Sequence, residues 1–265
     1  VLAEVAELLR CPHCESACEL TDRVLSCARG HRFDLARQGY VNLLTRAAPR
    51  HADTAEMVAE RADFLSGRHF DPLIDLLGTR ARGSRLLEVG AGTGHYLAGV
   101  RSGLGENARG LATDLSAYAC RRAARLPRVG AVVADTWAGL PVLDGVIDTL
   151  LCVFAPRNPA EFARVLAPQG RVLVLTPTEH HLAELRSTLG LLEVERGKRQ
   201  RLHQTMGEQL TLLDEQELAY HLDLTASDLR RLVAMGPNAF HHSDPAVPER
   251  AEVTVSVRLS TFGHR

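Results

Sequence analysis

One lysine, Lys198, stands against thirty arginines in this 265-residue chain, and the net charge is only −1. So balanced a charge excludes a polycation, and overall composition gives no support for nucleic-acid binding. No run of about 18 apolar residues occurs, so no membrane-spanning helix is expected. The opening Val1 to Arg10 carries acids and lacks a basic start, which argues against a signal peptide and for a cytoplasmic protein. Disulfides are not expected either. Of six cysteines, four fall within the first 27 residues, while Cys120 and Cys152 sit singly inside predicted elements, a distribution that suits metal binding in a reducing compartment. At 45% hydrophobic, the chain has enough apolar content for one full α/β domain and a small accessory module.

Charge is locally uneven. Between Thr21 and His51 six arginines (Arg23, Arg29, Arg32, Arg37, Arg46, Arg50) face two acids, Asp22 and Asp34, a local charge of +4. A second basic cluster runs from Arg196 to His203. Each is open to a plain reading as solvated surface. The first overlaps Cys11-x2-Cys14, twelve residues, then Cys27-x3-His31. Two such turns can aim four ligands at one tetrahedral ion, the closed geometry of a structural zinc site with no open position for water. His13 lies within the first turn and Cys18 breaks the spacing, so both read as surface or packing residues. A module this small depends on its metal to fold.

From Arg85 onward short apolar runs alternate with amphipathic helices, the mark of βαβ units and a parallel sheet. Strand Arg85 to Val89 leads into Glu88-Val89-Gly90-Ala91-Gly92-Thr93-Gly94, whose glycines would let a ligand approach the backbone. The loop resembles Glu/Asp-x-Gly-x-Gly-x-Gly of class I methyltransferases and differs from the dinucleotide spacing. The next strand, Arg109 to Asp114, ends in a carboxylate suited to both ribose hydroxyls, followed by Leu115 and Ser116. The third, Gly130 to Ala134, ends in Asp135, placed for the adenine amino group, with Thr136 beside it. Strand Val146 to Phe154 runs into Ala155-Pro156, where class I enzymes meet the methyl acceptor. A helix from Pro159 to Leu166 and strand Arg171 to Leu175 follow. Alternation around Gln209 to Leu213 and Glu252 to Leu259 suits closing antiparallel strands. Thr225-Ala226-Ser227-Asp228 reads as a capping box. The expected divisions are a zinc-binding module (1–36), to which the resemblance described next assigns RNA recognition, a linker and helical connection (37–80) and a class I S-adenosylmethionine-dependent methyltransferase domain with a Rossmann-like seven-stranded sheet (81–265).

Taken together, the knuckle spacing, His31-Arg32-Phe33-Asp34, Gly39 to Leu44, Asp53 to Met57, Arg61, Phe64-Leu65, His69 to Leu73, Phe154-Ala155-Pro156, Thr176-Pro177 and His181-Leu182 resemble the bacterial 23S rRNA guanine-N1 methyltransferases of the RlmA type. The resemblance covers nearly the whole chain. It implies methylation of a guanine N1 in a domain II hairpin loop of 23S rRNA near the macrolide site, a homodimer with an RNA-sized cleft, and Phe70 and His181 beside the cofactor. The Ala- and Arg-rich, lysine-poor composition leans towards the subtype associated with tylosin resistance. Ala91, His95 and the extra Cys18 depart from the family pattern without removing a ligand.

On this reading Arg23, Arg29 and Arg32 hold hairpin phosphates, and Phe154, Ala155 and Pro156 shape the acceptor pocket. Asp148 inside its strand is either buried structure or a base, and His181 and Asp135 rank as cofactor contacts. Tyr40, Phe70 or Trp137 could stack a flipped guanine, although core packing is commoner for such residues. No side chain declares itself as the catalytic base. Two rival readings are a class I enzyme acting on a small natural product and a non-catalytic zinc RNA-binding adaptor.

Overall fold

A computed structural model describes residues 2–47, 52–189, 197–236 and 247–265. Near its start a three-stranded antiparallel meander forms from β1 (Cys18–Thr21), β2 (Val24–Cys27) and β3 (Arg32–Asp34). Asp22, at φ 55°, turns the first hairpin in a left-handed conformation that aspartate tolerates better than most residues. The same meander brings Cys27 back towards the first knuckle turn, opposite Cys18.

The larger sheet has eight strands. Its parallel part comprises β4 (Val41–Asn42), β5 (Arg85–Val89), β6 (Arg109–Asp114), β7 (Val129–Val133), β8 (Ile147–Val153) and β9 (Leu166–Pro177). Two long antiparallel strands, β10 (Thr211–Thr225) and β11 (Arg250–Gly263), complete it in the order β10-β11-β9-β8-β5-β6-β7-β4. Seven of these overlap the expected strands, five read as apolar runs and two from alternation, although β10 continues to Thr225, well past the expected Leu213; β4 is an addition at the edge, two residues long and paired with Val132 and Val133. The strands between β5 and β9 are apolar along nearly their whole length because helices cover both faces.

One face carries α1 (Ala55–Ser66), α2 (Asp71–Gly78), α3 (His95–Gly103) and α4 (Ala117–Ala123). The remaining helices are α5 (Pro159–Val165), α6 (Ala183–Leu189), α7 (Lys198–Gly207) and α8 (Ala226–Ala234). Helix α8 opens on the anticipated box: Thr225 Oγ1 accepts from the Asp228 backbone N–H, and the Asp228 carboxylate accepts from Thr225 N–H. On the opposite face, Leu2 and Val5 pack so closely over β7 that a Cβ on Gly130 would lie 2.2 Å from Val5 Cγ2. Residues 2–8 therefore lie on the large domain, whereas the meander itself begins at Cys18. In the same way α1 and α2, within the stretch expected to connect the domains, place Phe64, Phe70 and Leu73 in the main core. No described helix is long and apolar enough to cross a membrane.

Asp148 has a structural explanation. Its Oδ2 accepts from Ser84 and Arg85 backbone N–H groups, both at 3.0 Å, and its Oδ1 takes Arg85 Nη2 at 2.7 Å. It clasps β8 to the start of β5, the end of that strand opposite the glycine loop. Burial alone would raise its carboxyl, but the Arg85 side chain and the backbone donors hold it below its ordinary value. A depressed folded value gives stability that is present above the unfolded value of about 3.9 and is lost as pH falls through the folded value. Asp148→Asn should cost about 1–2 kcal/mol at pH 7, the low end for charged hydrogen bonds because the group is partly solvated. Urea melts should show that deficit shrinking below pH 4; a deficit unchanged at acid pH would refute the assignment.

Candidate active site and metal centre

At the metal end, the ligand atoms of Cys11, Cys14, Cys27 and His31 all lie within 4.8 Å of one another. Cys11 Sγ and Cys27 Sγ stand 3.5 and 3.4 Å from His31 Nδ1, and Cys14 Sγ is 3.6 Å from Cys27 Sγ. Ligands roughly 2.0–2.3 Å from one tetrahedral zinc are separated by about that much, so the donor set fits the ion. Desolvation opposes ionisation of Cys27, yet hydrogen bonds from the His31 side chain and nearby backbone bring its thiol down to about 6. Cys18 is buried and pushed up to about 12, first by desolvation and then by the cluster's thiolates. His13 is exposed and stacks on Phe33 with centroids 5.9 Å apart, outside the ligand set.

The arginines around the knuckle divide. Arg23 Nη2 donates to the Leu35 and Ala36 carbonyls at 3.2 and 2.8 Å, so it braces the module. Arg29 and Arg32 are exposed, and their side chains make no hydrogen bond or ion pair among the described residues. Arg50 and His51 of that basic run, and Arg196 of the second, lie outside the described residues. In the second cluster Arg199 and His203 both bond Glu215, at 2.7 Å. Glu215 of β10 thus offsets part of that cluster's charge.

The strand order reverses between β5 and β8, the place where an open parallel sheet usually carries its ligand crevice. Glu88 is buried, and Leu97 N–H donates to its Oε2 at 3.1 Å. Desolvation pushes its carboxyl well above the ordinary range. Asp114 accepts from Gly92 N–H through Oδ2 and from Ser116 N–H through Oδ1, both at 2.8 Å. Burial raises its carboxyl too, and those two bonds only partly offset this. Asp135 follows β7 and accepts from Trp137 N–H at 2.9 Å, while Thr136 is buried beside it and its carbonyl accepts from Asn158. Leu115 is half-buried next to Asp114. Three acidic side chains thus stand at the ends of adjacent strands; Glu88 is enclosed, while Asp114 and Asp135 offer carboxylate oxygens that can accept from hydroxyl or amino groups.

Gly90, Gly92 and Gly94 all take positive φ, at 62°, 54° and 77°. Part of the space expected for a ligand is filled by the protein: a Cβ on Gly90 would lie 2.7 Å from Ala155 Cβ, and one on Gly94 2.8 Å from Leu126 Cδ1. Thr93 is buried between them. The structure thereby joins the loop to the Phe154-Ala155-Pro156 corner. Phe154 is itself at φ 51° and 41% exposed, and its ring stacks on His181 at 5.8 Å. His181 accordingly stands at the same corner. Phe70 is 3% exposed and packs edge-on against Phe64, so it presents little surface to any ligand. Tyr40 packs on the same core, whereas Trp137 is 66% exposed. His95, the departure beside Gly94, has Nε2 buried with no hydrogen-bond partner among the described residues.

Arg61 received no role from sequence. It pairs with Asp53 through Nη1, donates to the Met235 carbonyl at 2.6 Å through Nη2, and comes within 3.1 Å of a Cβ built on Gly92. Asp53 in turn offers its carbonyl to Ser116 Oγ at 2.7 Å. One guanidinium therefore ties α1 to Asp53 and to the end of α8, and lies against the glycine loop at Gly92. Asp53 lies just ahead of the Thr54 cap of α1, so helical spacing alone gave no signal for this pair.

A family model described as RlmA, N-terminal, matches residues 9–46. The 23S rRNA (guanine(748)-N(1))-methyltransferase of Streptomyces fradiae is 44% identical over 97% of this chain and 96% of its own. A Micromonospora griseorubida protein assigned as a 23S rRNA (guanine-N(1)-)-methyltransferase is 42% identical, covering 96% of each. Among solved structures, a chain from the complex of the Haloferax volcanii Trm112 methyltransferase activator with its assigned methyltransferase superposes with a TM-score of 0.53 at 16% identity, over 82% of this chain and 99% of that one. The last match bears on fold alone, and it agrees with a class I methyltransferase sheet. Cofactor fold and Cys/His cluster together call for S-adenosylmethionine and structural zinc. With such identity along almost its entire length, the chain belongs to the 23S rRNA (guanine-N1)-methyltransferase family.

Proposed function

We propose that this protein transfers a methyl group from S-adenosylmethionine to N1 of a guanine in a domain II hairpin loop of 23S rRNA, the nucleotide numbered 748 in the name of the Streptomyces fradiae relative. The observation that carries the reading is the joining of Glu88, Asp114 and the glycine loop to the Phe154-Ala155-Pro156 corner, on a chain that also bears the zinc module. Asp114 would take the ribose hydroxyls, Asp135 the adenine amino group, and Gly90, Gly92 and Thr93 the backbone contacts. Bound there, the cofactor supplies an electrophilic methyl group. The chain's own part is to align the acceptor nitrogen and exclude water. Two copies would pair their zinc modules around the hairpin, and N1 methylation would weaken binding of tylosin-type macrolides. The natural-product reading gives the zinc module no purpose, and the adaptor reading leaves the buried carboxylates unexplained.

The direct test is labelled S-adenosylmethionine with a transcript spanning the domain II hairpins, followed by primer extension. One stop at a single loop guanine is expected, because N1 methylation blocks Watson–Crick pairing. Transfer to small molecules but to no transcript or ribosomal precursor would defeat the proposal.

Arg29 and Arg32 are the phosphate contacts to test, since alanine at Arg23 would also unbrace the module. Double replacement by alanine should lower the slope of log Kd against log salt by roughly 1.4–1.8, two charges at about 0.7–0.9 each. Cofactor affinity should hold. An unchanged slope would remove these residues from the RNA surface.

A further inference from the structure

We propose that His181 is a catalytic residue whose Nε2–H donates a hydrogen bond to O6 of the target guanine, stabilising the oxyanion formed there as N1 loses its proton. The inference rests on the guanine-N1 reading above. It assigns the imidazole to the methyl acceptor, where family resemblance pointed to the cofactor.

Position comes first. The ring stacks on Phe154 at 5.8 Å and 24°, and the next residue, Ala155, abuts the Gly90 turn at the crevice. The imidazole therefore borders the place where acceptor and methyl group must meet. Phe154 adds a mark of its own: a bulky, partly exposed residue at φ 51° holds a strained backbone that folded chains keep mainly at functional sites.

The proton's location follows from the hydrogen bonds. Ser256 backbone N–H donates to His181 Nδ1 at 3.2 Å, so Nδ1 is the lone-pair nitrogen and the neutral ring carries its hydrogen on Nε2. Desolvation, followed by Arg186 and Lys198 and against the pull of Glu184, keeps this imidazole neutral by lowering it to about 4. Its donor is thus unchanged across the neutral range.

The ring is also held still. His181 N–H donates to the Thr178 carbonyl at 3.2 Å, Arg186 donates to the His181 carbonyl at 2.8 Å, and Leu182, at φ 53°, donates to the Thr254 carbonyl at 2.7 Å. Thr178 and Ser256 hydroxyls meet at 2.6 Å. Strand β11 therefore fixes the loop at both ends. A preoriented donor of this kind needs no reorganisation when charge develops.

Chemistry supplies the need. Guanine N1 carries a proton and is a poor nucleophile until that proton departs to solvent, leaving negative charge shared with O6. The N1 electron pair then forms the new N–C bond, the C–S pair stays on sulfur as a thioether, and the released proton balances the lost sulfonium charge. Asp148, the other candidate for proton chemistry, is spent on Ser84 and Arg85 at the far end of β5. Lowering the cost of N1 ionisation through O6 removes the requirement for a strong side-chain base.

Two variants test this. His181→Phe keeps a ring against Phe154 but has no donor; His181→Gln keeps an N–H near the Nε2 position. Loss of one oxyanion donor should lower kcat about a hundredfold in H181F, with partial recovery in H181Q. RNA KM and cofactor Kd should stay within about threefold, since the interaction belongs to the charged acceptor. The readout independent of turnover is NMR of hairpin RNA carrying carbon-13 at C6 of the target guanine, bound to protein and S-adenosylhomocysteine. The pH at which that guanine ionises should lie about two units lower with wild type than with H181F, the same hundredfold expressed as a pKa difference. Equal midpoints, or a kcat loss matched by weakened cofactor binding, would overturn the role and leave guanine-N1 methylation standing. A wild-type protein that methylates no guanine N1 would overturn both.

Discussion

Cys14→Ser should reduce RNA methylation by about a thousandfold, the scale that separates specific from non-specific nucleic-acid binding, while cofactor Kd changes by less than about threefold. Two links support this. The meander of β1 to β3 buries little besides Cys18, Leu25 and Cys27, so it lacks a core able to fold it alone. Structural zinc contributes about 10–16 kcal/mol of apparent binding free energy to modules of this type, and serine removes one of four ligands. Losing the knuckle would scatter Arg29 and Arg32, whose exposed guanidinium groups it displays. The cofactor cleft depends instead on β5, β6 and the Arg61 tie, none of which touches the metal. Equal RNA methylation by protein stripped with a chelator, with zinc loss verified by metal analysis, would refute a recognition role. Loss of cofactor binding alongside methylation would show that the meander supports the large domain through Leu9 and Val142, whose backbones bridge.

How far the sequence reveals this molecule varies with the range of the interaction. Strands β5 to β9 are legible because buried parallel strands are continuous apolar runs, and the glycine loop because positive φ at three positions narrows residue choice. The four metal ligands are legible from spacing, since turn geometry fixes which thiols converge. Through-space partnerships are less visible. Nothing in the run of arginines distinguishes Arg23, spent on two carbonyls, from Arg29 and Arg32. Strand β4 is two residues long and exists only because the edge of β7 offers unpaired groups. Phe70 reads as a ligand contact by resemblance, yet Phe64 and the surrounding leucines enclose it. His181 is the sharpest case: its sequence neighbours say nothing of Phe154, 27 positions earlier, which only the β8 corner brings beside it.

Asp114→Asn should weaken cofactor binding by about a hundredfold while leaving the protein folded. Both carboxylate oxygens already accept backbone N–H groups, from Gly92 and Ser116. An amide must direct its NH2 at one of those donors, so one bond becomes donor against donor in a site that water barely enters. Each buried polar group left unsatisfied costs about 1–3 kcal/mol, and the lost acceptor for a ribose hydroxyl adds a similar amount. The unbound protein escapes part of this cost. Burial and Asp53 already push the Asp114 carboxyl upward, so the charge itself is held at an expense that asparagine removes. Folding stability should consequently fall less than cofactor affinity does. Calorimetric titration with S-adenosylhomocysteine, paired with urea melts of the unliganded protein, separates the two quantities. Equal losses in both would mean that Asp114 serves the loop's architecture alone and that the ribose is held elsewhere; affinity lost out of proportion to stability would place the carboxylate on the cofactor.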